Sequence, residues 1–360
     1  MIGTGVFTSL GFQLLEIQSA PVLMMLWVVG GLTALCGALS YAELAAALPR
    51  SGGEYHFLSE IYHPCAGFIS GWVSATVGFA APTALAALTF GSYLSSSGVN
   101  ADPVWLATSL ILLLTTAHCG NHRSSGETQT WFTVLKLLLI VGFSVAAISF
   151  GNIKYALDFT WTAESNKDMG SSAFAISLIY VNYAYSGWNA ATYISSELKS
   201  PQKNLPLVLG LSTALVSCLY CLLNYVFLSV APAEAMTGKV EIGMIAATYA
   251  FGDRIGALMG IMLALLLIST ISAMILAGPR VLHRIGEDYP LFQVLAKTSG
   301  DGIPVNAILL QSATALLFLW TASFEQILIF SGATMALNTF ATVLGLFVLR
   351  WRQPRLPRPF

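Results

Sequence analysis

Long apolar runs separated by short polar connections recur along the whole chain, at 6–15, 22–48, 67–94, 103–119, 130–150, 172–195, 206–231, 254–279, 304–321 and 324–349. A helix needs about 20 apolar residues to cross a bilayer. The pattern therefore predicts nine membrane spans after a short apolar fragment at the start. Punctuation residues mark several ends. Pro49 and the following "RSGG" close one helix, Pro206 is placed to open another, and Pro279 should stop or kink a third near its end. The segment 240–251 is too short to span and reads as an external amphipathic or re-entrant helix. One span carries an interruption. "NYAYSGWNAAT" (182–192) places Ser186, Gly187 and Asn189 among Tyr183, Tyr185 and Trp188, where a membrane helix favours Leu, Ile and Val.

Composition agrees with a multi-span helical membrane protein. Of 360 residues, 56% are hydrophobic and 9% charged, against about 25% charged in a soluble domain. Mean hydropathy is +0.73. A net charge of −1 without a basic patch gives nucleic acid nothing to bind. Cys218 and Cys221 form a C-x-x-C inside a helical run, which reads as small packing residues and not as a redox or metal pair. His118 and His122 lack metal-ligand spacing, and no metal is expected. There is no nucleophile–base set, phosphate loop or dinucleotide fingerprint, so no catalytic residue or cofactor is expected, and the chain does not read as an enzyme. Met1 leads directly into a glycine-rich stretch without a basic leader, so no cleavable signal peptide is expected.

The distribution of Lys and Arg sets the orientation. If the 49–66 loop is cytoplasmic, alternation puts Arg50, Arg123, Lys199, Lys203, Arg280, Arg284, Lys297, Arg350, Arg352, Arg355 and Arg358 inside. Only Lys154, Lys167, Lys239 and Arg254 fall outside. Eleven against four satisfies the positive-inside rule.

"IGTGVF" (2–7) and "YSGWNA" (185–190) are glycine-interrupted segments about five spans apart, and the two run through the membrane in opposite directions. Interrupted spans in matching positions of two halves point to an inverted-repeat transporter whose site lies at the breaks. A broken helix leaves N–H and C=O groups without partners, which in hydrocarbon is tolerated only where something else satisfies them. A zwitterion does so. The N–H groups at the start of the helix after Gly5 attract a carboxylate, and freed carbonyls accept from an ammonium. The competing explanation is helix–helix packing through small residues.

These segments, with "YAELAAALPRSGGEY" (41–55), "YAYSGWNAATYISSELKSPQKNLP" (183–206) and "ILAGPR" (275–280), resemble the amino acid permeases of the amino acid–polyamine–organocation superfamily over essentially the full chain. The resemblance implies an all-α membrane protein with the leucine-transporter-type fold, an inverted repeat of five plus five helices in a single transmembrane domain over 1–360. The first repeat would cover about 1–150 and the second about 171–350. It implies a secondary active transporter that moves amino acids by alternating access, coupled to protons or by exchange, in the plasma (inner) membrane. Relative to the family, the inner half of the first span and spans 11 and 12 have no counterpart in these residues.

Carried over position by position, the resemblance assigns amides of Thr4 and Gly5 to the substrate carboxylate, with Gly3 allowing close approach. Carbonyls of Met1 or Ile2, of Tyr183 and of Ala184, with Ser186, face its amino group. Gly187 lets the backbone approach on the second break, Tyr183 is an aromatic gate, and Asn189 tunes side-chain recognition or gating. Asn189 stands where a cationic substrate would want a carboxylate, which favours neutral amino acids. A polyamine or other amine is the rival substrate, and an amino-acid sensor of the same fold the rival function.

Lys136 lies a third of the way into an apolar helix with no acidic residue within a turn. An intramembrane ionisable group is a functional hypothesis by default. The resemblance makes it the coupling residue, with Thr270 and Ser272 as partners on the eighth span. The alternative is snorkelling to the headgroups. Glu43, Glu197 and Lys199 read as inner-end gate or packing residues.

Overall fold

A computed structural model describes residues 2–50, 52–120, 126–151, 153, 155, 157–197, 201–299 and 302–357. Met1, His122, Arg123, Lys154, Lys199 and Arg358, named above, lie outside the described residues, as does the side chain of Glu197.

The described residues form a helical bundle: α1 (Gly5–Gln13), α2 (Ala20–Ala47), α3 (Glu54–Ile61), α4 (Pro64–Ser96), α5 (Pro103–Gly120), α6 (Gly126–Phe150), α7 (Ser172–Tyr185), α8 (Pro201–Val230), α9 (Ile242–Phe251), α10 (Asp253–Asp288), α11 (Val305–Thr321) and α12 (Phe324–Arg352). Seven of these are long and apolar enough to cross a membrane. The broken span beginning with α7 and the 17-residue α11 complete the nine expected. Among the described residues there is no strand.

Neither Pro206 nor Pro279, read as punctuation, bounds its helix. Pro206 does not open α8. The helix begins at Pro201, whose ring suits the first helical position, and Pro206 sits inside it. Of the stop or kink expected at Pro279, the stop does not occur: α10 continues for nine residues to Asp288. Burial of Val281, Leu282 and Ile285 in the inner core carries the helix past the lost hydrogen bond. Helix α9 is not an amphipathic surface segment. Ile242, Gly243, Ala246, Ala247 and Ala250 are buried, and it packs on α1 and α10.

Helix α4 contains a π-helical stretch at Ser74–Ala80. Such insertions cluster at functional sites because they redirect side chains. At the end of the bundle opposite Arg50 and Arg350, aromatic and polar contacts join the helices. The Phe12 ring stacks on Phe324 with centroids 5.3 Å apart. Trp27 Nε1 donates to Gln13 Oε1 at 3.2 Å, and the Tyr180 hydroxyl donates to Glu325 at 2.9 Å. At the arginine-rich end, Arg350 makes a two-pronged ion pair with Glu43, joining α12 to α2. The Tyr55 hydroxyl donates to Asp288 at 2.5 Å with Arg50 3.6 Å from the same carboxylate, which ties α3 to the end of α10. Burial, reinforced by Asp288, raises the Tyr55 phenol above its ordinary value.

Candidate functional site

The second interruption exists as a backbone feature, and the first segment supplies the start of a helix beside it. Helix α1 starts at Gly5, with Thr4 as its N-cap residue already in helical conformation (φ −65°, ψ −41°) and Ile2 and Gly3 before it. Its first N–H groups have no intrahelical acceptor by construction. The Thr4 carbonyl, in contrast, is occupied, accepting from Phe7 N at 2.9 Å and from Thr8 Oγ1 at 3.1 Å. On the second break, α7 ends at Tyr185. Ser186 turns extended (φ −61°, ψ 162°), Gly187 adopts φ +92°, and the chain resumes as a 3-10 helix over Trp188–Glu197. A positive φ of this kind strains a residue with a Cβ, which is why glycine stands there.

The breaks meet. A Cβ built on Gly5 would lie 2.4 Å from Ala184 Cα and 2.7 Å from Ala184 Cβ, so α1 and α7 touch backbone to backbone. Thr4 Oγ1 lies 3.3 Å from the Tyr183 hydroxyl, closing a side-chain link between the segments. The Ser186 N–H donates to the Tyr183 carbonyl at 3.0 Å, which leaves that oxygen one lone pair for a ligand.

A cavity of about 560 Å³ opens at this junction and is lined by Ile2, Gly3, Thr4, Gly5, Tyr183, Ala184, Ser186, Gly187 and Asn189 together. Pockets for small molecules span about 300–1,000 Å³. From α2 the cavity takes Thr33 to Ser40, and from α10 Thr270 to Ala277. It therefore extends from the breaks toward the arginine-rich end, and Phe12, Gln13, Trp27, Tyr180 and Phe324 do not line it. Phe79 and Gly78 of the π-stretch also reach it.

Lys136 is turned inward. It is 7% exposed, and its Nζ donates to Thr270 Oγ1 at 2.7 Å. Snorkelling is thereby excluded in this arrangement, and among the described residues the ammonium makes no ion pair. A void of about 10 Å³ lined by Lys136, Thr270, Ile2 and Gly3 separates it from the first break. Ser272 is not a partner of Lys136. It lies two residues beyond Thr270, on another face of the helix, where its hydroxyl is 2.9 Å from His118 Nε2. Asn189 is not a free side chain either, because its Nδ2 donates to Glu54 Oε1 at 2.7 Å.

Glu54 is the residue that the sequence reading missed. It is 0% exposed, at the first turn of α3. Oε1 accepts from the Tyr41 hydroxyl at 2.9 Å and from Asn189. Oε2 is met by the Tyr193 hydroxyl and by Ser74 Oγ at 3.4 Å. Ser74 continues to Asn338 Nδ2 at 3.4 Å, whose Oδ1 accepts from Ser70 at 2.8 Å. A buried carboxylate is tolerable only with such hydrogen bonding. The available signal was an acidic residue following a glycine pair in "RSGGEY" (50–55), read at first only as part of a family motif.

Among the described residues no group of three His, Cys, Asp or Glu could hold a metal. The five cysteines are free thiols. The arrangement offers hydrogen-bond donors and acceptors around a cavity, with no nucleophile–base pair among the described residues that line it, which is suited to holding a small polar molecule.

Comparison with known proteins agrees. The family model described as "Amino acid permease" matches residues 1–360. The large neutral amino acids transporter small subunit 2 of Homo sapiens is 30% identical over 377 residues, covering 100% of this chain and 69% of that protein. The corresponding Mus musculus protein is 29% identical over 382 residues with the same coverage. The b(0,+)-type amino acid transporter 1 of Mus musculus is 27% identical over 376 residues, covering 100% of this chain and 75% of that protein. With its helical membrane fold, and with the start of α1 and the broken segment after α7 meeting at a cavity, this chain belongs to the amino acid permease family: it is a multi-span membrane transporter of amino acids and not an enzyme.

Proposed function

We propose that the cavity at the two breaks binds the backbone of a neutral amino acid, and that the chain carries it across the plasma (inner) membrane by alternating access. The observation that carries this reading is the backbone contact of Gly5 with Ala184 at the head of a cavity of about 560 Å³. The start of α1 presents N–H groups and the positive end of a helix dipole to a carboxylate. The amides of Thr4 and Gly5 serve the carboxylate, with Gly3 keeping the approach open. The Ile2, Tyr183 and Ala184 carbonyls and Ser186 serve the ammonium, and Tyr183 closes over the ligand. The second break keeps this geometry through Gly187. Two of the relatives are named for large neutral amino acids, and no carboxylate lines the cavity among the described residues. Both facts favour neutral over cationic substrates.

The inverted-repeat reading, with halves at about 1–150 and 171–350, accounts for the symmetric placement of the breaks. Lys136 with Thr270 is the coupling group, either for protons or as a fixed cation in an exchanger. Ser272 is left out of that role by its contact with His118. The lipid bilayer is the surroundings of the exposed apolar helix faces, such as Trp131, Leu138 and Val145 on α6.

The test is uptake of a panel of labelled amino acids into proteoliposomes, with and without an inward proton gradient and with and without internal amino acid. Saturable uptake of leucine or a similar neutral amino acid is expected. Stimulation by the gradient marks proton coupling, and stimulation only by internal amino acid marks exchange. Uptake confined to polyamines, or binding without flux, would overturn the reading.

A further inference from the structure

Glu54 is not among the cavity-lining residues, yet it holds two that are, Asn189 and Tyr193. Its carboxylate receives two donors on each oxygen, from α2 (Tyr41), the π-stretch of α4 (Ser74) and the 3-10 segment below the second break (Asn189 and Tyr193). All four are neutral. A carboxylate only accepts hydrogen bonds, whereas an asparagine amide carries a donating nitrogen at one end and an accepting oxygen at the other. Asn189 therefore has one allowed orientation. Rotating its amide by half a turn would set its oxygen against Oε1 at 2.7 Å, oxygen to oxygen. With Nδ2 committed to Glu54, Asn189 Oδ1 has no partner among the described residues and is not a buried orphan, and the residue lines the cavity.

We propose that Glu54 is a positioning residue for substrate selection. By holding the amide nitrogen of Asn189 it keeps the Asn189 carbonyl oxygen turned to the cavity, so the site offers an acceptor to a side chain that carries a hydrogen-bond donor. The inference rests on the reading that the cavity binds amino acids. The ligands it favours are neutral amino acids with a hydroxyl or amide on the side chain over apolar ones of the same shape. Threonine and valine are the matched pair, nearly equal in volume and differing by one hydroxyl. The rest of the network supports this role. Tyr193 touches Glu54 and lies 3.1 Å from Ser74, so the 3-10 segment is fixed to α3 and α4 at a second point and cannot swing Asn189 away without breaking it.

The experiment measures inhibition of labelled leucine uptake by threonine and by valine in proteoliposomes of the full chain, and reads the ratio of the two inhibition constants. Glu54→Gln can donate to Asn189 as well as accept, so the amide is free to turn. Threonine should lose ground to valine by about three- to tenfold, the value of one hydrogen bond, while valine itself changes little. Asn189→Leu removes the acceptor and should shift the ratio by as much, and the double variant should shift it no further. An unchanged ratio in Glu54→Gln, with leucine uptake intact, overturns the positioning role and leaves the transport reading standing. Should Glu54→Gln fail to fold, an unchanged ratio in Asn189→Leu overturns it equally. A wild-type protein that takes up none of the three amino acids overturns both.

Discussion

Replacing Gly5 by alanine tests the junction with a single added methyl group. That Cβ would lie 2.4 Å from Ala184 Cα, 2.7 Å from Ala184 Cβ and 3.1 Å from Ala184 N. Carbon atoms in ordinary contact sit about 3.5–4.0 Å apart, so α1 and α7 must separate by about 1 Å or more. The obstacle is backbone, which cannot swing aside as a long side chain can. Overpacking of this kind costs about 1–3 kcal/mol, which equals about 5- to 150-fold in an equilibrium constant. A displacement of about 1 Å also exceeds the tolerance of the hydrogen bonds that would hold a carboxylate at the start of α1. Gly5→Ala should therefore weaken leucine affinity by about tenfold or more, read as the KM for uptake or as equilibrium binding to purified protein. Gly142 supplies the control, because it is exposed on α6 with nothing within 4 Å of a built Cβ. Gly142→Ala should leave affinity untouched and raise helix stability slightly, by about 0.5–1 kcal/mol. Wild-type affinity in Gly5→Ala would refute the reasoning, since the ligand would then not sense the spacing of the two breaks.

Gly187→Leu should abolish binding while the protein still inserts, because Gly187 holds φ +92° beside the cavity; wild-type affinity there would move the pocket elsewhere. Lys136→Ala should abolish uptake driven by a proton gradient and preserve membrane insertion, and unchanged accumulation would remove its coupling role. Tyr183→Phe deletes the hydroxyl facing Thr4 Oγ1 and should weaken substrate affinity by about two- to tenfold; no change would disconnect that link from the ligand. His56, on α3 outside the spans, is held below the ordinary imidazole value chiefly by burial. Its neutral form is the folded one, so its stability contribution is present above about pH 6.5 and is lost as pH falls below it. Thermal unfolding should come earlier at pH 5.5 than at pH 7.5, and His56→Gln should flatten that dependence. An identical pH profile in the variant would contradict the assignment.

The spans and the break after α7 are legible in the sequence because hydrophobic length and glycine position are local quantities. Ser186 and Gly187 stand out inside an apolar run, and the chain breaks there. Lys136 stands out in the same way, as a cation where none is cheap. What sequence reading could not supply depends on neighbours. Pro279 is a local stop signal overruled by the core around Val281 and Ile285. Ser272 follows Thr270 by two residues, and only the helical turn between them decides that one meets Lys136 and the other His118. Glu54 follows a glycine pair in a family motif, and nothing local in the sequence marks it as buried. Its burial comes from α3 packing under the cavity, where α2, α4 and the 3-10 segment converge on it.

The central claim is that two unwound stretches lend their peptide groups to one amino acid. A structure determined with saturating leucine measures this most directly. The account predicts the carboxylate about 2.7–3.2 Å from N–H groups at the start of α1, and the ammonium at the carbonyls of Tyr183 and Ala184. Leucine bound away from both breaks, or a cavity left empty at saturation, would contradict it.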